Sequence, residues 1–317
     1  MRRFILMRVL RAVATIWAAV TITFLMLRLL PGDPAELIAG EGASEALIEN
    51  LRSSYGLDRP LLTQYVDFLG GLLQGYFGMS YVQNVEVASL IVDRLPWTLL
   101  LTGSAFILTI LVGIPLGTMA AVRRDGFLDR GLKSFGIASS ALFVPSVAVL
   151  LLIVFAADLG WFAIGSTQDP NASGLAWLGG VANRLVLPVL TLVIINVGPY
   201  ALTLRTNMVD VLQQEHVRAA RARGIAERRI IWRYALRNGM LPALALMGLQ
   251  LGALAGGSVL TETVFAYPGI GQLTHAAVMQ RDYPVLQAAF VALAASVVLA
   301  NLLTDVMSRV LDPRVTT

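Results

Sequence analysis

Residues Thr98–Val122 read TLLLTGSAFILTILVGIPLGTMAAV, an apolar run without Asp, Glu, Lys, Arg or His. About 20 apolar residues suffice to cross the hydrocarbon core of a bilayer as a helix. Working outward, five similar stretches appear at about 12–30, 134–157, 185–204, 239–260 and 285–305. Composition agrees: 56% of the chain is hydrophobic and 14% charged, with a mean hydropathy of +0.72. A soluble domain carries roughly 25% charged residues. The expected fold is therefore all-α, a polytopic membrane protein with six transmembrane helices. The first stretch follows Arg2, Arg3, Arg8 and Arg11 and resembles a signal peptide. It is read as a retained helix, because Leu29-Leu30-Pro31-Gly32-Asp33-Pro34 lacks a small-x-small cleavage pattern.

Charge sets the expected orientation. With both ends inside, segments 1–11, 123–133, 205–238 and 306–317 hold 18 of the 24 Lys/Arg residues. Basic residues accumulate in cytoplasmic loops, so both termini are expected in the cytoplasm. The expected organisation is residues 1–30 as an amino-terminal segment with the first transmembrane helix, 31–97 as an external helical domain, and 98–317 as a transmembrane core. Within 31–97, the spacing of Leu47, Leu51 and Tyr55 predicts a short helix stopped by Gly56. Leu61, Tyr65, Phe68, Leu69 and Leu72 predict a second. Such a cap either packs on the span ends or receives a partner.

Several classes are disfavoured. The apolar cores of the spans lack ionisable residues, which mark proton relays and ion-coupled pathways. There is no Gly-rich phosphate loop followed by Lys and Ser/Thr. Cysteine is absent, and the two histidines, His216 and His275, lie in different segments, so no metal site is expected. The arginines are spread among loops between spans rather than gathered for nucleic acid. No catalytic residue is assigned. Gly113 and Gly117, and Gly248, Gly252 and Gly256, form small-xxx-small rows suited to close helix packing or to lining a pathway. Asn196, Gln250 and Asn301 are the candidates to face a polar passage.

The longest inside segment, 206–238, carries the most distinctive pattern. From Met208 to Arg233 there is no proline, and Gly224 alone punctuates. A helix over 208–223 ending at Gly224 and a second over 226–237 are expected. Ala219, Ala220 and Ala222 give a low-relief patch rimmed by arginines. This suits a docking helix, and equally a basic surface helix on anionic lipid.

The same loop resembles the EAA motif of ABC-importer permeases: Glu-Ala-Ala, three residues, Gly, nine residues, Ile-x-Leu-Pro. Ala219-Ala220, Gly224 and Leu236 match; Arg218, Tyr234 and Arg237 stand at the Glu, Ile and Pro positions. The forms Arg218-x-Ala220-x-Ala222-x-Gly224 and Leu236-Arg237-Asn238 followed by Pro242 resemble the dipeptide/oligopeptide/nickel branch. So do Leu30-Pro31-Gly32-Asp33-Pro34, Gly56-Leu57-Asp58-Arg59-Pro60 with Gln64-Tyr65, Tyr267-Pro268-Gly269-Ile270-Gly271, Arg281-Asp282-Tyr283-Pro284 and Leu311-Asp312-Pro313-Arg314. The resemblance implies the inner-membrane permease subunit of an ATP-driven importer of peptides or similar small solutes. It implies a second similar permease, two cytoplasmic ATPases that bind ATP and Mg, and an external solute-binding protein. It places the ATPase-coupling loop at Glu215, Arg218, Ala219, Ala220, Arg223 and Gly224. An autonomous channel or carrier, or a membrane scaffold, are the competing classes.

Overall fold

The computed structural model describes residues 2–29, 34–39, 42–163, 165, 173–240, 243 and 258–311. Among these the secondary structure is helical, with one isolated antiparallel bridge, Met79–Glu86. Four helices contain stretches long and apolar enough to cross a bilayer: Leu6–Leu29, Val87–Val122, Leu175–Leu212 and Tyr283–Leu302. A fifth crossing arises if the bent pair Phe127–Ala141 and Val144–Asp158 counts as one. Most of the expected span 239–260 lies outside the described residues.

The helices run past the expected spans. Helix α1 covers Arg2–Leu29, because nothing in its basic start breaks a helix and arginine is a good helix former. After α2 (Pro34–Ala39) and α3 (Glu45–Ser54) comes α4 (Leu61–Leu73), then the 36-residue α5 (Val87–Val122). At about 1.5 Å per residue, α5 is longer than the ~30 Å hydrocarbon core. The expected span 134–157 is not one straight helix. Helix α6 (Phe127–Ala141) and α7 (Val144–Leu151) meet at 104°, and α7 continues as a π-helix over Leu152–Asp158. Leu142 and Phe143 are extended, and Pro145 sits in the first turn of α7, where its missing N–H leaves no helical bond unmade.

The chain divides into two compact units. One comprises residues 1–98 and 268–298, the other 99–267 and 299–317; α5 contributes residues to both. In the first unit, α3 begins at Ser44, whose Oγ accepts the Leu47 amide at 3.3 Å, and ends as expected before Gly56. Gly56 has φ +62°, and the Leu57 amide reaches the Arg52 carbonyl at 2.9 Å, a Schellman stop that favours glycine. Gln64 Nε2 donates to the Arg59 carbonyl at 2.8 Å and so holds the loop that leads into α4. Helix α4 leans on the end of α1: Phe68 stacks on Phe24 at 5.9 Å, and the Tyr65 and Thr21 hydroxyls lie 2.6 Å apart. The segment after Tyr267, for which no helix was expected, forms an 11-residue helix, Ile270–Gln280. Its start is pinned to α5: the Ile270 amide donates to Thr98 Oγ1 at 2.8 Å. Val87, Ile91, Ile270, Leu273, Val285 and Ala289 make the core there.

Two loops of this unit are tied through Asp282, which is 1% exposed. Its carboxylate accepts from Ser80 Oγ at 2.5 Å, and from the Tyr81 and Val82 amides at 3.2 and 3.4 Å. These bonds hold the segment Ser80-Tyr81-Val82 against the turn at Asp282. Buried carboxylates persist only when bonded in this way.

The second unit is organised around α8 (Leu175–Leu212), whose interior holds Pro188 and Pro199. Its neighbours come close because they present glycine. A Cβ at Gly113 would strike the Tyr200 ring, and one at Gly117 would meet the Ala201 carbonyl oxygen at 2.5 Å. Gly136 and Gly198 make the equivalent approach between α6 and α8. The row at Gly113 and Gly117 is thus a packing device; the row at Gly248, Gly252 and Gly256 lies outside the described residues.

Candidate functional site

The loop that follows α8 is not one long helix. Helix α8 runs on to Leu212; Gln213 and Gln214 then break it, with Gln214 extended at ψ 153°. Helix α9 covers Glu215–Ala222. The expected second helix reduces to α10 (Glu227–Arg229), followed by a π-helix over Ile230–Ala235. The break has a tertiary cause: it turns Val217 and Ala220 toward the body of the unit. Val217 is 0% and Ala220 1% exposed. They join Tyr200, Leu204, Met208 and Val211 of α8 with Ile230, Ala235 and Leu236 in one apolar cluster. A Cβ at Gly239 would lie 2.6 Å from Met208 Sδ, so the chain leaving the loop also lies against α8.

Gly224 closes α9 as a Schellman motif. Its φ is +72°, the Gly224 amide donates to the Arg221 carbonyl at 2.9 Å, and the Ile225 amide to the Ala220 carbonyl at 3.3 Å. Ile225 packs on the same cluster as Ala220, the apolar contact that accompanies this stop. Arg221 then grips Glu227 across the turn, Nη2 to Oε1 at 2.6 Å. That hydrogen bond holds the Glu227 carboxyl below its ordinary value. Both side chains are largely exposed, so the clamp contributes at most about 1 kcal/mol. At the other end of α9, Asn238 Nδ2 donates to His216 Nε2 at 3.2 Å. Acid in the first turn, Glu215, and base in the last, Arg221, both suit the helix dipole.

Of the six residues expected to form the coupling surface, five face outward. Glu215, Arg218 and Ala219 are exposed on α9, Arg223 is its exposed C-cap, and Gly224 is exposed beside it. Ala220 is turned inward, so the small-residue patch consists of Ala219 and Ala222. Arg228, Arg229, Arg233 and Arg237 of the same loop are all exposed. Sequence reasoning passed over Trp232 and took Tyr234 only as a motif position; they are 44% and 40% exposed in the same loop. Two aromatics on solvent within a basic segment were the available signal. Asn196 donates Nδ2 to the Leu192 carbonyl of its own helix at 2.7 Å, Asn301 is half-buried on the helix Tyr283–Leu311, and Gln250 lies outside the described residues.

A second group beside this loop was also missed. Asp129, in the first turn of α6, is completely buried and forms a bidentate pair with Arg205 of α8. Arg205 Nε and Nη2 reach its two oxygens at 2.8 and 2.7 Å. Lys133 Nζ lies 3.0 Å from Oδ2, and the Asp125 amide donates to the same oxygen at 2.9 Å. The segment 123–133 is thereby locked to the helix that enters the loop. Among the described residues, no cluster of three or more His, Cys, Asp or Glu is arranged to hold a metal ion.

Comparison with known proteins places the whole chain. Residues 113–317 match the family model of the binding-protein-dependent transport system inner membrane component, and residues 1–102 match the model of the N-terminal part of such membrane components. The chain belongs to this permease family. A putative peptide transport system permease protein of Brucella abortus is 38% identical over 317 residues, 99% of each chain. A probable peptide ABC transporter permease protein of Sinorhizobium fredii is 35% identical over 312 residues, 98% of each. The glutathione transport system permease protein of Escherichia coli K12 is 36% identical over 99% of each. The resemblance to the dipeptide/oligopeptide/nickel branch is thereby shown. The permease is a multi-pass protein of the bacterial inner membrane and a transport subunit rather than an enzyme.

Proposed function

We propose that this permease forms half of the translocation pathway of an ATP-driven importer for peptides or similar small solutes. A second, similar permease completes the pathway, two cytoplasmic ATPases bind ATP and Mg, and an external binding protein delivers the solute. The loop 206–238 docks into one ATPase. The observation that carries the reading is α9 itself. It is anchored from below by Val217 and Ala220, stopped by Gly224, and presents Ala219 and Ala222 among exposed arginines. A helix built this way transmits a push, because it moves with α8 rather than swinging on a flexible loop. Small residues at the centre and charges at the rim suit a partner's groove. The peptide assignment rests on the names of the two peptide-transport relatives.

Six crossings with both termini cytoplasmic and residues 31–97 outside accord with the 18 of 24 basic residues in segments 1–11, 123–133, 205–238 and 306–317. A single cysteine at Ser44 or Asn171 is expected to react with an impermeant thiol reagent in intact cells, and Glu227→Cys only after permeabilisation. Asn171 lies outside the described residues; Ser44 and Glu227 are exposed. Labelling of Glu227→Cys in intact cells would invert the orientation and remove the loop from the ATPase side.

The energy source is tested separately. The apolar cores of the spans carry no proton-titrating side chain, so uptake is expected to survive collapse of the proton gradient while ATP is held constant. In proteoliposomes, uptake that follows an imposed gradient and ignores ATP sinks the importer reading.

A further inference from the structure

A cleft of about 400 Å³ opens in the first unit between the end of α1, the α3–α4 region and the start of the helix Tyr283–Leu311. Its size falls in the range of small-ligand pockets. Its walls are aromatic: Phe24 and Phe68 stack on one side, and Tyr55 meets Tyr81 edge-on at 4.9 Å on another. Its polar side chains include several donors. The Arg28 guanidinium is half-buried, 5.6 Å over the Phe24 ring, and among the described residues no carboxylate pairs with it. Gln287 lines the cleft with its Nε2 buried and without a hydrogen-bond partner. Burial pushes the Tyr81 hydroxyl up to about 12, so it remains a donor. Asp282 is the nearby carboxylate, and its oxygens are already taken by Ser80 and the amides of Tyr81 and Val82.

Gln287 Nε2 is a buried donor left unmet, and the half-buried Arg28 guanidinium that lines the same cleft has no carboxylate partner among the described residues. A planar fork of this kind matches a carboxylate or phosphate, and buried donors left unmet are costly. We infer that this cleft binds the anionic group of an amphipathic molecule, a carboxylate or a phosphate, with Arg28 and Gln287 as its donors and the aromatic rings holding the apolar part. The place admits two sources. Arg28 lies one residue before the end of the span Leu6–Leu29, and Tyr283 begins the span Tyr283–Leu302. The cleft is therefore at the membrane boundary, within reach of a phospholipid headgroup and of a dissolved solute carrying a carboxylate.

The test uses the purified transporter complex in detergent, without nucleotide. Saturable binding is measured by equilibrium dialysis for dihexanoyl phosphatidylglycerol and N-acetylphenylalanine. Their neutral counterparts, dihexanoylglycerol and N-acetylphenylalaninamide, serve as controls. At least one anion is expected to bind, and its neutral counterpart to bind tenfold weaker or less. Arg28→Gln is expected to weaken the anion at least tenfold and Gln287→Leu about threefold, while Arg28→Lys stays within about fivefold. Arg281→Gln, at a neighbouring apolar groove, is expected to leave binding unchanged. Preference for the phosphate identifies a lipid, and preference for the carboxylate a solute; either supports the site. Absence of saturable binding by both anions, equal binding of the neutral analogues, or wild-type affinity in Arg28→Gln overturns it. No ATP or binding protein enters the measurement, so its failure is separate from failure of the importer reading.

Discussion

Ala220→Glu is expected to abolish solute-stimulated ATP hydrolysis and to lower the amount of assembled transporter several-fold. Ala220 is 1% exposed, and its carbonyl accepts the Ile225 amide that closes α9. A carboxylate there would enter the apolar cluster of Tyr200, Leu204, Met208, Val217 and Ile230. Burying an unpaired charge costs more than the loop's own packing supplies, so α9 is expelled from α8. Ala219→Glu separates folding from docking. Ala219 is exposed, so that variant keeps normal abundance and loses coupling only if the outward face of α9 meets an ATPase. Gly224→Asp has a smaller effect. Its added Cβ meets nothing within 4 Å, and only the φ of +72° is strained, at about 1 kcal/mol. Arg228→Ala, exposed at the rim, is expected to change little. The measurements are stimulated hydrolysis, copurified ATPase and permease abundance. Wild-type hydrolysis in both Ala219→Glu and Ala220→Glu would remove α9 from the coupling surface and leave the lipid-facing reading.

The contrast between Ala219 and Ala220 also marks how far the sequence was legible. Gly56 and Gly224 were readable as stops, since a Schellman turn demands positive φ and glycine supplies it at least cost. Four of the spans were readable from apolar runs. The break at Gln213–Gln214 was not, because helix propensity is continuous there and the cause is the burial of Val217 and Ala220 against α8, a tertiary effect. For the same reason the inward turn of Ala220 could not be told from the outward turn of Ala219 and Ala222. Pro145 was visible, but the 104° bend depends on two extended residues before it. Helix Ile270–Gln280 was hidden inside a short segment between spans, where its apolar face meets α5. Asn196 fits either a pathway or a helix; its bond to the Leu192 carbonyl comes from the structure.

The second large effect is expected from Arg205→Ala. Asp129 and Arg205 are 76 residues apart, and their pairing follows only from the packing of α6 on α8, where Gly136 and Gly198 bring the backbones together. Removing the guanidinium leaves a completely buried carboxylate with Lys133 and the Asp125 amide as its remaining partners. Breaking such a pair from one side costs about 3–5 kcal/mol, and the retained lysine places this case near the lower end. A loss of that size is expected to reduce permease abundance several-fold and to lower the temperature at which the detergent-solubilised complex aggregates. Asp129→Ala alone strands Arg205, which is 12% exposed and closer to water, and is expected to cost less. The double variant, Asp129→Ala with Arg205→Ala, removes both charges and is expected to recover part of the Arg205→Ala loss, because the penalty lies in the stranded charge and not in the missing contact. Additive losses in the double variant would show that the two side chains act through separate neighbours. If the double variant regains abundance but not stimulated hydrolysis, the pair also holds segment 123–133 in the position from which the loop beyond α8 is driven.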